Sequence, residues 1–108
     1  MVKKLSNFTV VIRVKNEERW IGYAIQSVLD HLIKPEIVIV DNDSSDKTID
    51  IVKFFAENPN LNNEADNYSK IKIINIKNYS PGRALNLGVK HATKKYILMR
   101  SSVDGRFD

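Results

Sequence analysis

Residues 36–46 have the sequence EIVIVDNDSSD, in which an apolar, mostly β-branched run is followed at once by a dense polar turn. An unbroken apolar run of this kind is typical of a strand that is buried on both faces, as in a parallel sheet. In the turn, Ser44 or Ser45 is predicted to cap a following helix, with Asp46 in the first turn of that helix. The segment therefore predicts a strand, a tight turn and a helix, in that order.

The same order of elements precedes this segment. Residues 8–14 (FTVVIRV) are nearly continuous in their apolar side chains and predict a second buried strand. Residues 20–32 carry a wide apolar stripe at helical spacing, and Pro35 ends the predicted helix.

Strands and helices also alternate downstream. Residues 58–69 are polar and rich in asparagine, which predicts a surface loop. Residues 71–76 show some alternation of apolar and polar side chains, as expected for a strand at a sheet edge. Ser80 followed by Pro81 predicts the start of a helix, and residues 96–99 predict the last strand.

This alternation predicts βαβ units with right-handed crossovers. We therefore expect an α/β fold: a Rossmann-like, three-layer α/β/α arrangement with a mostly parallel sheet of about four strands (β-α-β-α-β-α-β). A length of 108 residues suffices for one domain and is too short for two, so a single domain over residues 1–108 is predicted.

Composition excludes several classes of site. The chain contains no cysteine, which excludes disulfides, thiolate zinc sites and cysteine nucleophiles. Its formal net charge is +4, but the basic residues are scattered and no aromatic cluster accompanies them, so we expect no nucleic acid as a partner. No apolar run reaches about 18 residues, and no apolar leader follows Lys3 and Lys4, so a cytoplasmic protein is expected.

Polar residues crowd the carboxyl ends of the predicted strands, where ligands of parallel sheets bind. The second strand is followed by Asp41, Asp43 and Asp46, which are three acids within six residues. A carboxylate at this position can accept hydrogen bonds from a base or a ribose, and the next helix N-terminus offers free N–H groups to phosphate. The alternative is a turn that only caps the helix, and the residues by themselves leave both interpretations open.

Three motifs lie at these strand ends in a fixed order. The first is VKNEERWI at 14–21, with AIQSVL at 24–29 in the helix behind it. The second is VDNDSSDKT at 40–48, and the third is GRALNLG at 82–88. Together they resemble the family 2 glycosyltransferases of the GT-A type, and the resemblance covers nearly the whole chain.

The resemblance implies a transferase that moves a sugar from a nucleotide-diphosphate sugar to an acceptor with inversion, and it implies that this chain supplies the donor-nucleotide site. Matched position by position, two basic residues contact the base and the phosphates, an acid lies near the nucleotide, one acid of the turn hydrogen-bonds the base, and a further arginine contacts the pyrophosphate. These residues are, in that order, Arg13 and Lys15, Glu17, Asp41, and Arg83, and Asp43 is assigned to the same nucleotide site.

The metal motif departs from the family pattern. Family members end the fourth strand with Asp-x-Asp, whose last carboxylate holds Mn²⁺ or Mg²⁺ on the diphosphate. Counted from Tyr96, the two acids fall at Ser101 and Val103, and neither side chain is a good ligand for a divalent cation. Asp104 follows by one residue and is the candidate metal ligand. The alternatives are a member that needs no metal or a protein that has lost turnover.

The resemblance also places the catalytic base and the acceptor site in a second half that these 108 residues lack, so no catalytic residue is assigned. We expect a truncated catalytic domain that binds a nucleotide weakly, does not turn over alone and self-associates through a bare apolar side of its sheet. The family further implies polysaccharide biosynthesis, a saccharide or lipid-linked acceptor, and peripheral association with the inner membrane face.

A second class of function stays open at this stage. The chain could be a non-catalytic α/β module that binds a nucleotide or a partner protein. Val103 at a metal position and the short length favour this alternative. The turn at Asp41 and the segment 82–88 favour descent from an enzyme.

Overall fold

In the computed structural model, which describes residues 5–58 and 70–101, strands and helices alternate in the predicted order. None of the helices in these two ranges is long and apolar enough to cross a membrane. Residues 59–69 of the predicted loop over 58–69 lie outside the described residues. The elements are β1 (Phe8–Val14), α1 (Ile21–His31), β2 (Glu36–Asp41), α2 (Thr48–Glu57), β3 (Lys70–Asn75), α3 (Pro81–His91) and β4 (Tyr96–Ser101).

The strands of the described residues form one parallel sheet with the order β3-β2-β1-β4. Val14 pairs with Asp41 and Arg13 pairs with Ser101, so β1, β2 and β4 end at nearly the same level. The chain passes from β1 to β2 and β3 on one side and then places β4 on the other side of β1. Strand order therefore reverses next to β1, which is where open α/β sheets form their ligand crevice.

Helices cover both faces of the sheet, which confirms the predicted three-layer α/β fold. On one face, Val10 and Ile12 of β1 pack in a buried cluster with α1 and with Val52 of α2. On the other face, Val11 packs in a second cluster with Ala84 of α3. The alternation along β1 follows from the two-residue period of a strand, which sends successive side chains to opposite faces. Each fully buried Val or Ile stabilises the fold by about 1.5–3 kcal/mol.

The α3 helix lies very close to the sheet. A Cβ atom at Gly88 would collide with the Val11 side chain, so glycine permits the observed approach. The helix begins as predicted, because Ser80 Oγ accepts a hydrogen bond from the Arg83 N–H at 3.2 Å and Pro81 occupies the first turn.

A buried carboxylate ties several segments together at the amino end of the sheet. Glu36 is only 1% exposed and accepts hydrogen bonds from the Thr9 hydroxyl (2.8 Å), the Thr93 N–H (2.7 Å) and the Thr93 hydroxyl (2.8 Å). Lys72 Nζ lies 3.2 Å from Glu36 Oε2. Burial by itself raises the pKa of Glu36, but the hydrogen bonds from Thr93, Thr9 and Lys72 outweigh it and lower the pKa from 4.5 to about 2.

The two edges of the sheet differ in exposure. β3 is an edge strand, as its alternating sequence predicted. β4 forms the opposite edge, and its large apolar side chains are more than one third exposed, so an apolar surface lies bare there. This β4 surface consists of Tyr96, Ile97, Leu98 and Met99, exposed by 48%, 38%, 38% and 39%.

Candidate functional site

Three loops leave the carboxyl ends of β1, β2 and β3, and each contains one residue in the left-handed backbone region. Asn16, Asp43 and Asn78 have φ angles of 50°, 54° and 55°. Asparagine and aspartate adopt this region more readily than other residues that carry a Cβ atom. The polar residues at the strand ends are therefore explained in part by the left-handed backbone conformation that the loops require, and not only by ligand binding.

Asn16 joins the loop after β1 to the loop after β2. Its Oδ1 accepts hydrogen bonds from the Ser45 N–H at 2.7 Å and from the Asp46 N–H at 3.3 Å. Its own N–H donates to Ser44 Oγ at 2.9 Å. The neighbouring Glu17 N–H donates to the Thr48 hydroxyl at 2.7 Å. We call these contacts of Asn16 with Ser44, Ser45 and Asp46 the Asn16 clasp.

The N-cap residue of α2 is Lys47, whose side chain makes no capping hydrogen bond, and not the predicted Ser44 or Ser45. Ser44 and Ser45 do not cap this helix, because Asn16 and Asp41 engage them instead. Asp46 accepts hydrogen bonds from both the N–H and the hydroxyl of Thr48, the first residue of α2. Burial raises the pKa of Asp46, but the hydrogen bonds from Thr48 and from the Glu18 N–H outweigh it and hold the pKa below its ordinary value.

Asp41 lies at the base of this loop and is 5% exposed. Its Oδ1 accepts hydrogen bonds from the Ser44 hydroxyl at 2.6 Å and the Ser44 N–H at 3.2 Å, and its Oδ2 lies 3.4 Å from the same N–H. The carboxylate is thus held in place by the turn that follows it.

Two adjoining cavities open at these strand ends and share Lys15 and Asn42. The first has a volume of about 230 Å³, and Arg13, Glu17 and Tyr79 also line it. The second, of about 360 Å³, lies between the loops after β2 and β3 and includes Asp43 in its wall. The structure therefore brings Arg13, Lys15, Glu17 and Asp43 to one region. Asp41 lies beneath that region rather than in the wall of either cavity.

Sequence reasoning did not single out Tyr79. Its hydroxyl accepts a hydrogen bond from Arg13 Nη1 at 3.2 Å, across 66 positions of sequence. Tyr79 lies between the predicted third strand and the predicted helix start at Ser80, and an aromatic residue at such a strand end is the signal that was available. No local pattern could have predicted its partner.

Arg83 is not part of these two cavities. It lines a separate groove of about 160 Å³ on α3, together with Asn86, Leu87 and Lys90. The predicted contact of Arg83 with a pyrophosphate therefore stays a prediction.

The residues that the structure describes do not form a metal site, since no three His, Cys, Asp or Glu side chains converge among them. Ser101 ends β4 and pairs with Arg13. Val103 and the candidate ligand Asp104 lie outside the described residues.

Comparison with known proteins identifies relatives of this chain. An uncharacterized glycosyltransferase of Rickettsia conorii is 34% identical over 108 residues, which cover 96% of this chain and 16% of that protein. The minor teichoic acid biosynthesis protein GgaA of Bacillus subtilis is 30% identical over 92 residues, which cover 82% of this chain and 19% of that protein. The chain thus spans less than one fifth of the length of these curated relatives.

Solved structures share the fold. TarS 1–349 of S. aureus, in complex with UDP, matches 89% of this chain and 27% of its own chain with a TM-score of 0.72 and 23% identity. The mannosyltransferase PcManGT from Pyrobaculum calidifontis, in complex with GDP-Man and Mn²⁺, matches the same shares with a TM-score of 0.70 and 24% identity. The predicted GT-A type of fold is confirmed.

The sequence model described as Glycosyl transferase family 2 matches residues 9–100, from the second residue of β1 to the penultimate residue of β4. All three motifs that carried the resemblance fall within this match. The chain belongs to glycosyl transferase family 2.

Proposed function

We propose that this chain holds the donor-nucleotide site of a glycosyltransferase, which moves a sugar from a nucleotide-diphosphate sugar to an acceptor with inversion at the anomeric carbon. One observation carries the proposal: Arg13, Lys15 and Glu17 line one cavity at the carboxyl ends of β1 and β2. The acidic turn that begins at Asp41 lies directly beside it. Parallel α/β sheets bind nucleotides at this place.

The two cations are assigned to the diphosphate. When the glycosidic bond to the donor breaks, the leaving nucleoside diphosphate carries negative charge that positive groups must balance. Arg13 is partly buried and its guanidinium is anchored by Tyr79, whereas Lys15 is exposed between the two cavities. Arg13 therefore supplies a fixed positive charge and Lys15 an adaptable one.

The acids are assigned to the nucleoside. Asp41 accepts a hydrogen bond from the base, with the uracil of a UDP-sugar as the family's usual partner. Glu17 and Asp43 line the two cavities on either side of Lys15 and are assigned to ribose hydroxyls. A carboxylate accepts two or more such hydrogen bonds and therefore suits a hydroxyl-rich ligand.

The family resemblance adds two further contacts. The family resemblance supports Arg83 as a pyrophosphate ligand, although its groove is separate from the main cavities. The resemblance also supports a divalent cation, Mg²⁺ or Mn²⁺, with Asp104 as its protein ligand, and PcManGT is a fold relative that binds Mn²⁺. When bound, such an ion would neutralise charge on the diphosphate.

For the whole protein we propose a saccharide or lipid-linked acceptor and a role in the synthesis of a polysaccharide. The name of GgaA, a teichoic acid biosynthesis protein, supports a polymer of this kind. The acceptor hydroxyl must lose a proton to a general base, and we assign that base to no residue of this chain. A cytoplasmic location at the inner membrane face and self-association through the β4 surface complete the proposal.

The test is an amide NMR titration of the chain with UDP, GDP and dTDP, each with and without Mg²⁺ or Mn²⁺. We expect saturable shifts for one nucleotide at Lys15–Glu17, Asp41–Asp43 and Arg83. Broadening by Mn²⁺ near Asp104 would support the metal ligand, and shifts that spare Arg83 would remove it from the site. If no nucleotide at millimolar concentration shifts the NMR signals of these amides in a folded sample, the proposal of a donor site is wrong. A non-catalytic module that binds a partner protein is then the better account.

A further inference from the structure

We propose that Ser44 is the positioning residue that aims the Asp41 carboxylate at the nucleobase, and that Asn16 sets the direction of the Ser44 hydroxyl. This inference rests on the proposed function, in which Asp41 receives the base. Its basis is a relay of two hydrogen bonds. The Asn16 N–H donates to Ser44 Oγ at 2.9 Å, and the Ser44 hydroxyl donates to Asp41 Oδ1 at 2.6 Å.

The relay can run in only one direction. A backbone N–H can donate but cannot accept, so Ser44 Oγ must be the acceptor towards Asn16. The single hydroxyl proton of Ser44 is then free to point at Asp41, and the 2.6 Å separation is typical of a hydroxyl bound to a carboxylate. The Asn16 N–H, on a different strand-end loop, thus favours the orientation in which the Ser44 hydroxyl points at Asp41.

Asn16 is itself held by the loop that it orients. Its Oδ1 accepts hydrogen bonds from the Ser45 and Asp46 N–H groups, and its backbone is left-handed, with a φ of 50°. A residue with a Cβ atom in this region needs support from its surroundings. The Asn16 clasp provides that support and fixes the distance between the loops after β1 and β2.

The two carboxylate oxygens of Asp41 differ in the hydrogen bonds that they accept. Oδ1 takes the Ser44 hydroxyl and the closer contact with the Ser44 N–H, at 2.6 and 3.2 Å. Among the described residues, Oδ2 has only the longer contact with that N–H, at 3.4 Å. Oδ2 therefore keeps the greater acceptor capacity of the two oxygens, and a base that binds it has to reach a side chain that is 5% exposed and lies beneath the two cavities.

A carboxylate oxygen with a fixed direction discriminates between bases. It attracts a ring nitrogen that carries a proton, as in uracil, thymine and guanine. It repels the ring nitrogen of cytosine, which presents a lone pair instead. Because Ser44 fixes the direction, its removal should weaken the preference for uracil over cytosine and not merely the affinity for nucleotides in general.

The first measurement is calorimetric titration of UDP and CDP into the chain and into the variants Ser44→Ala, Ser44→Thr and Ser45→Ala. We expect Ser44→Ala to lower the affinity for UDP by about 5–10-fold, as for the loss of one ordinary hydrogen bond, and to change the affinity for CDP less than twofold. Ser44→Thr keeps the hydroxyl and should restore the preference. Ser45→Ala is the matched control, because the Ser45 hydroxyl makes only a 3.4 Å contact with Asn16. If Ser44→Ala lowers the affinities for UDP and CDP by the same factor, the proposal is overturned.

The second measurement does not depend on a nucleotide. Three-bond NMR couplings report whether the Asp41 side chain holds one χ1 rotamer or averages among several. We expect one rotamer in the unchanged chain, in Ser44→Thr and in Ser45→Ala, and averaging in Ser44→Ala. A single rotamer in a folded Ser44→Ala chain overturns the positioning role. If the unchanged chain binds no nucleotide, the proposed function fails, but the couplings still decide whether Ser44 positions Asp41.

Discussion

The Tyr79 hydroxyl accepts a hydrogen bond from the Arg13 guanidinium at 3.2 Å and thereby joins the loop after β3 to the end of β1. Both side chains line the same cavity of about 230 Å³. A free arginine loses up to about 2 kcal/mol of rotamer entropy when a ligand immobilises it. Because Tyr79 already restrains Arg13 in the free protein, part of this rotamer entropy is lost before a diphosphate binds, and binding loses less of it.

We therefore expect Tyr79→Phe to weaken binding of UDP by about 2–10-fold, in line with the loss of one hydrogen bond. The affinity for uridine, which lacks the diphosphate, should stay the same. Calorimetric titration of both ligands measures the two values. Tyr23→Phe is the matched control, since Tyr23 is 68% exposed on α1. If the affinities for UDP and uridine fall by the same factor, Tyr79 contacts the nucleoside instead of acting on the diphosphate through Arg13.

Because α3 lies so close to the sheet, adding a single methyl group at Gly88 should destabilise the fold. Gly88→Ala should lower the free energy of unfolding by about 1–3 kcal/mol, because the new Cβ collides with the Val11 side chain and overpacks the core. Gly82→Ala is the control in the same helix, since no atom lies within 4 Å of a Cβ built there. Urea unfolding followed by circular dichroism compares the two. Equal stability of both variants would mean that α3 shifts away from Val11 at little cost.

The Glu36 carboxylate predicts a loss of stability in acid. Its folded pKa of about 2 lies below the ordinary 4.5, so the ionised form stabilises the fold. This contribution is complete above about pH 5 and is lost as the pH falls from there towards 2. A shift of this size corresponds to about 3 kcal/mol. Urea unfolding at a series of pH values between 7 and 3 measures the loss.

Glu36→Gln should remove most of that pH dependence and lower the stability at pH 7, because the amide cannot accept all the hydrogen bonds that the carboxylate accepts. The smaller contribution of Asp46, whose pKa is also lowered, should remain. Glu57→Gln changes an exposed carboxylate at the end of α2 and should leave the profile as it was. An unchanged profile in Glu36→Gln would show that other carboxylates govern the acid response.

The β4 surface predicts self-association of the chain. We expect the apparent mass in sedimentation equilibrium to rise with concentration, because exposed apolar side chains promote association. Ile97 and Met99 lie on one face of this edge strand, and Tyr96 and Leu98 lie on the other. Ile97→Lys with Met99→Lys should reduce the association at least fivefold. Phe54→Lys alters a 55% exposed aromatic on α2, away from β4, and should not. A chain that stays monomeric at millimolar concentration contradicts the proposal.

Much of the fold could be predicted because its signals are local. β1 and β2 are mostly buried, and each is built around an unbroken apolar run, at 10–12 and 37–40, so their local sequence is enough to predict them. The start of α3 was also predictable, since Ser80 and Pro81 are adjacent in sequence and each suits its position in the cap. The order of strands and helices then restricts the topology to few alternatives.

The details of the site were less predictable because they depend on competition and on distant partners. Ser44, Ser45 and Asp46 can each cap a helix, but Asn16, which lies about 30 residues earlier, binds all three, and the N-cap position falls at Lys47. The hydrogen bond between Arg13 and Tyr79 likewise could not be predicted from the local sequence. The positions that resemble family motifs could be predicted, but the contacts among them could not.

The Glu36 cluster lies at the amino end of the strands, and the cavities with Arg13 and Lys15 lie at the carboxyl end. The loops that would contact a nucleotide therefore contribute little to the cluster that holds β1, β2 and β3 together. Substitutions in those loops can alter ligand preference while the foundation of the sheet stays intact. Because the two ends of the strands are separate in this way, substitutions in the loops at the carboxyl end should cost little stability, and the proposed nucleotide preference can change independently of it.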